Sequence, residues 1–194
     1  MNQVINIGDP KESCNNLNLL KGTFQYSIQY YNAISLLIKH NNISEIIFPL
    51  VNLIHQYIEN EIKCVVLEFY EEDCHYKPKD LITHDLDRLL KILLTRKSIL
   101  NETEVYKNNL NNLRDAINYF YSVFDKQVFI KSRYPVDRNT NTLSFIKITF
   151  LQKEFIKTWD TIVKVFHNFK LLCIAELKIR NGMENNIIIK NYYL

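Results

Sequence analysis

Glycine and proline are scarce in this chain, three and four among 194 residues. All-β sandwiches and barrels reverse direction every few residues and need many of both, so the shortage points away from them and excludes collagen-like and low-complexity chains. The four cysteines, Cys14, Cys64, Cys74 and Cys173, show no CxxC spacing, which argues against a disulfide scaffold and zinc sites of the finger or ribbon type. Cys64 and Cys173 fall in apolar helical runs, where a cysteine acts as a small hydrophobe, and a reducing, cytoplasmic setting is the expectation. HExxH, a Walker loop and GxSxG are all missing, and three glycines cannot build a phosphate cradle. Nucleotide hydrolases and zinc enzymes of those motif classes are set aside, and neither a metal nor a cofactor is expected.

Two further shortages matter. No stretch approaches the roughly 18 uninterrupted apolar residues of a membrane span, and the opening MNQVINIGDPKES has no basic region leading into an apolar core, so no membrane contact or export is expected. The formal charge of +3 is too small to announce a nucleic-acid binder, although it permits RNA or DNA. What the chain does have is 47% hydrophobic residues, enough for one well-filled core. Its wealth of Asn, Ile and Lys reads as the codon bias of an AT-rich genome.

Apolar residues recur at helical spacing in five segments. Residues 1 to 22 are polar, carry the turn signal Gly8-Asp9-Pro10 and end at Gly22, and are read as an N-terminal extension. A first helix is predicted from about Thr23 on the stripe Phe24, Ile28, Tyr31, Ile34 and Ile38. A longer second one starts at Ser44 or Pro49 and runs to Phe69. The third is capped by Thr83, holds Asp85 in its first turn and buries Leu86, Leu89, Leu90 and Leu93. It is expected to lie antiparallel to the second. A fourth runs from about Glu102 through Val105, Leu110, Leu113, Ile117 and Phe120 to Phe124, and the last from Leu151 to Arg180, stopped by Asn181-Gly182. Leu143 to Phe150 and the tail from Asn186 to Leu194 are β-branched and predict short extended pieces near the C-terminus. The expectation is an all-α bundle of about five main helices: extension 1–22, helical domain 23–182, tail 183–194.

Polar residues are patterned as well. Asn52, His55, Gln56, Glu59 and Lys63 follow one another at three- and four-residue steps and form one stripe on the second helix. A His–Glu pair at that spacing serves proton transfer, or is simply a solvated face with one ion pair. His84, placed in the first turn of the third helix, sits beside free backbone NH groups that suit an anion, or else packs over the helix start. Arg133-Tyr134-Pro135-Val136-Asp137-Arg138 is an irregular loop whose guanidinium groups and rigid aromatic suit phosphate or nucleobase contacts, or tie the loop to a carboxylate such as Glu59. Arg114, Tyr119 and Tyr121 form a further polar-aromatic group on the fourth helix.

Three of these elements resemble the HEPN superfamily of small prokaryotic helical proteins, in a branch whose second helix reads RHxIELxLK, followed by THxLxxL and FRYPxD. The matching segments are His55-Gln56-Tyr57-Ile58-Glu59-Asn60-Glu61-Ile62-Lys63, Thr83-His84-Asp85-Leu86-Asp87-Arg88-Leu89 and Ser132-Arg133-Tyr134-Pro135-Val136-Asp137, spread over residues 45 to 140. The resemblance implies a dimerising bundle from a superfamily of RNA-cleaving toxins, RNA-binding modules and inactive scaffolds in defence and toxin–antitoxin systems. Two departures stand out. The ribonuclease motif R-x4-6-H is absent, its nearest relic being Arg114-x4-Tyr119-x-Tyr121, and the branch's Arg-His pair is His55-Gln56 here. Tyrosine is no base at neutral pH without a large pKa shift.

The functional expectation is therefore an accessory or scaffold subunit that binds RNA or a protein of the same defence system, as a homodimer or hetero-oligomer. The alternative is an RNA-directed nuclease with His55, Glu59, His84 and Arg133 as its site. Lys63, Arg114, Tyr119, Tyr121, Tyr134 and Arg138 are the candidate contacts to RNA or partner. Self-association is expected through surplus aromatics of the last helix, Phe150, Phe155, Trp159, Phe166 and Phe169, and through the tail.

Overall fold

The architecture is all-α. The computed structural model describes residues 16–39, 42–68, 81–95, 103–124 and 150–180, and these hold five α-helices with no strand among them. The helices are α1 (Asn16–Ile38), α2 (Ile47–Glu68), α3 (Leu86–Thr95), α4 (Glu104–Phe124) and α5 (Gln152–Arg180). Residues 143–149 and the 183–194 tail, where extended pieces are expected, lie outside the described residues. No described helix is long and apolar enough to cross a membrane.

Helix α1 begins at Asn16, seven residues before the predicted start at Thr23, and runs through Gly22. One glycine costs an α-helix only about 1 kcal/mol, and Leu17, Leu19, Leu20 and Lys21 around it are good helix formers. The buried face of α1 is also rotated from the expected one. Thr23, Ser27 and Ile34 are buried, whereas Ile28 and Tyr31 are exposed. The cause lies across the interface, where Ser27 donates its hydroxyl hydrogen bond to the buried carboxylate of Glu61 on α2. A polar contact, invisible to a hydrophobic count, sets the angle of the helix.

A single 3-10 turn, Ile43–Ile46, leads into α2. Asn42 ties that turn together, donating to Glu45 and accepting from the Ser44 hydroxyl. The α-helix therefore starts between the two predicted positions, with Pro49 in its first turn, where a missing NH costs nothing. At α3 the cap is Asp85 and not Thr83. The Asp85 carboxylate accepts from the amides of Asp87 (3.0 Å) and Arg88 (3.4 Å), while the Thr83 hydroxyl accepts from the Asp85 amide (3.1 Å) and only shapes the approach. At α4, Thr103 plays the capping part, accepting from the Tyr106 amide at 3.3 Å. Val105, expected on the inner stripe, is exposed, and Tyr106 is buried in its place.

Contacting side chains fix the directions. Ser27 meets Glu61 and Tyr31 meets Tyr57, so α1 and α2 are antiparallel. Tyr106 meets Phe169 while Phe120 meets Phe155, so α4 and α5 are antiparallel too. Tyr57 touches Trp159 and Phe166, and Glu61 reaches Lys170, which makes α2 and α5 parallel. Helix α3 packs on α2.

Helix α2 is thus surrounded by α1, α3 and α5, and nearly every residue from Ile54 to Leu67 is buried, including Cys64. One continuous cluster runs through all five helices. Phe155, Trp159, Phe166 and Phe169 lie inside it, and Phe150 packs against it. These aromatics, expected to be left over for a dimer contact, instead close the core of the monomer. Among the described residues α1 carries four exposed apolar side chains, Tyr26, Ile28, Tyr31 and Leu36, and others are spread over the remaining elements.

Candidate functional site

Glu59 is the hub of the polar stripe on α2. The stripe is not a solvated face: His55, Gln56 and Glu59 are all buried, and His84 of the approach to α3 lies against Glu59. Both Glu59 oxygens lie within hydrogen-bond distance of His84 Nδ1, Oε1 at 3.1 Å and Oε2 at 3.0 Å. Lys63 Nζ, one turn along α2, donates to Oε1 at 2.6 Å. His55 Nδ1 stands 3.9 Å from Oε2, an ion-pair separation longer than a hydrogen bond, and 3.4 Å from the Gln56 side-chain amide. The buried carboxylate therefore has two hydrogen-bond partners, the Lys63 ammonium and the His84 ring, the condition under which a buried charge is tolerated.

His84 occupies a different place from the one its spacing suggests. It precedes the N-cap and is not in the first turn, and the α3 amides of Asp87 and Arg88 are taken by the Asp85 carboxylate. The helix start therefore offers His84 no anion site. Its ring folds back onto Glu59 instead, with the carboxylate only 4% exposed and the His84 side chain 68% exposed. An ionised carboxylate only accepts, so the bond requires the hydrogen on Nδ1 and leaves the lone pair of the neutral ring on Nε2.

Of the remaining candidates, Arg133, Tyr134 and Arg138 lie outside the described residues. Arg114 is exposed on α4. Tyr119 and Tyr121, two residues apart, feel different neighbours. Burial and the Glu154 carboxylate of α5 push the Tyr119 hydroxyl above its ordinary range. Burial, then Asp87 and Asp85 at the start of α3, do the same to Tyr121. Tyr121 thus shares the α3 start with His84, and Tyr119 does not.

A second buried carboxylate escaped the sequence reading. Glu61 accepts from Ser27 and from Lys170 Nζ at 2.9 Å, and the same ammonium stands over the Phe24 ring, 5.3 Å from its centroid. Its other oxygen, Oε2, is buried with no hydrogen-bond partner among the described residues. Tyr57 lies close enough that burial and then Glu61 raise its hydroxyl far above the usual tyrosine value. A signal for Glu61 does exist in the sequence: apolar residues surround it at positions 57, 58, 62, 64, 65, 66 and 67, leaving α2 no wholly polar face on which to place it.

Among the described residues no group of three or more His, Cys, Asp or Glu side chains is arranged to hold a metal ion. Comparison with protein-family models, with curated proteins and with solved structures yields no match.

Proposed function

We propose that the protein is a HEPN-like accessory or scaffold subunit of a prokaryotic defence or toxin–antitoxin system, acting in the cytoplasm by binding a partner protein or RNA. The observation that carries the reading is the missing R-x4-6-H motif, whose nearest counterpart under the resemblance has Tyr119 in place of the histidine. Burial and Glu154 both favour its neutral hydroxyl, so at neutral pH it keeps its proton and cannot take one from a ribose 2′-OH. The exposed apolar side chains of α1, Tyr26, Ile28 and Leu36, support association with a second copy or a partner. The test is incubation of the purified protein with total RNA. The scaffold reading expects the RNA to stay intact, and cleavage by the wild type counts against it.

One observation favours a second reading, a nuclease with a non-standard site. His84 is an exposed imidazole whose Nδ1 is held by a buried carboxylate, an arrangement suited to a general base. Arg133 or Arg114 would then stabilise the phosphorane. Cleavage that is lost in both His84→Ala and Arg133→Ala would establish this reading in place of the first.

A further inference from the structure

We propose that Nε2 of His84 is a phosphoryl acceptor, loaded by an activated donor of the phosphoramidate or acyl-phosphate class, with Glu59 as the residue that positions the ring. The inference does not depend on the scaffold reading.

Three features of the site carry it. The Glu59 carboxylate fixes the hydrogen on Nδ1, so the nucleophilic lone pair is on Nε2, the ring nitrogen that Glu59 does not engage. The side chain is 68% exposed, so a donor can approach. Cations stand nearby: Lys63 Nζ binds the same Oε1 that His84 faces, and Arg88 is exposed four residues on. Of the acidic neighbours, Asp85 has an oxygen engaged by the α3 amides, and Asp87 is exposed to solvent.

The step balances without any oxidant or reductant. The Nε2 lone pair forms an N–P bond, and the bond from phosphorus to the leaving atom breaks with its electron pair. Phosphoramidate releases ammonia, and an acyl phosphate releases a carboxylate. The ring becomes cationic, retaining its Nδ1 hydrogen, and that hydrogen bond to Glu59 strengthens as the charge develops. Glu59 therefore favours the product side of the transfer more than the free ring, which is the condition for acceleration.

Phosphoramidate is the probe. The full-length protein is incubated with it at neutral pH, and each histidine peptide is followed by mass spectrometry under mildly alkaline handling, which preserves phosphohistidine. His167, exposed on α5, is the internal reference. His84 is expected to take up phosphoryl at least about tenfold faster than His167, because only His84 has a carboxylate on Nδ1 to meet the developing charge. Glu59→Gln is expected to bring the two rates together while leaving that of His167 unchanged. Should that variant fail to fold, nitrogen-15 NMR of the wild-type ring decides: the proposal expects the neutral form protonated on Nδ1. Equal rates in the wild type, an unchanged ratio in a folded Glu59→Gln protein, or a neutral ring protonated on Nε2 would each overturn it.

Discussion

Replacing Ser27 with alanine removes one oxygen atom from a site with no access to water. Ser27 is fully buried and its hydroxyl donates to Glu61, a carboxylate that is itself 2% exposed. A hydrogen bond to a charged group contributes about 1.5–3 kcal/mol, and the gain in helix propensity from Ser to Ala returns roughly 0.5 kcal/mol. The net loss is about 1–2.5 kcal/mol, equivalent to a fall in Tm of roughly 2–10 °C for a chain of this size. Glu61→Gln probes the same centre from the other side. It strands the Lys170 ammonium, but that side chain is 21% exposed and reaches water, so the loss stays near that of the serine variant. Urea unfolding followed by far-UV circular dichroism gives all four corners of the Ser27/Glu61 double-mutant cycle. The expected coupling is about 1–2 kcal/mol, with an unchanged m-value. A Ser27→Ala loss below about 0.5 kcal/mol, or a coupling below about 0.3 kcal/mol, would show that α1 is held by its apolar contacts alone.

Other outcomes follow from the same structure. Asp85→Ala should cost about 1 kcal/mol through the lost cap of α3, and Thr83→Ala distinctly less, since its hydroxyl serves the approach to the helix; chemical denaturation of the two variants reads the order directly. Phe166→Ala empties the meeting point of α2 and α5 and should cost about 3–5 kcal/mol in the same assay. Tyr57 keeps its proton in the folded state well above the ordinary tyrosine value of 10.0, so its contribution to stability is complete below that pH. As pH rises past about 10 the unfolded chain ionises first, and stability should decline by up to about 1.4 kcal/mol per pH unit from this residue. Tyr57→Phe should flatten that alkaline decline, measured as unfolding free energy against pH. Cys64 should not react with a thiol reagent until the protein unfolds, and a native-state colour yield from Cys64 would contradict its burial in α2.

The five helices were legible because an apolar stripe at 3.6-residue spacing survives whatever it packs against. All four leucines assigned to the inner face of α3 are buried. The errors fall where polar contacts decide. Ile28 and Tyr31 are apolar and exposed because Ser27 turns α1 toward Glu61, and no property of α1 alone shows that carboxylate. Thr83 and Asp85 are both good caps two residues apart, and the choice depends on which oxygen reaches the first free amides. The link from His55 to Glu59 to Lys63 was visible as i,i+4 spacing. Its burial was not, because the contact of His84 with Glu59 comes from the approach to α3, outside α2.

The parallel pairing of α2 with α5 also bears on how the chain is made. The Lys170 ammonium lies 109 residues downstream of the carboxylate it neutralises. At a synthesis rate of about 5–20 residues per second, Glu61 and the bare flank of α2 wait roughly 5–20 s for their counterpart to leave the ribosome. The α1–α2 hairpin forms early from near neighbours, yet it stays sticky on one side throughout that interval. Apolar surface left bare for that interval is what makes a growing polypeptide prone to aggregate, so the order of synthesis, as well as the final stability, bears on this fold.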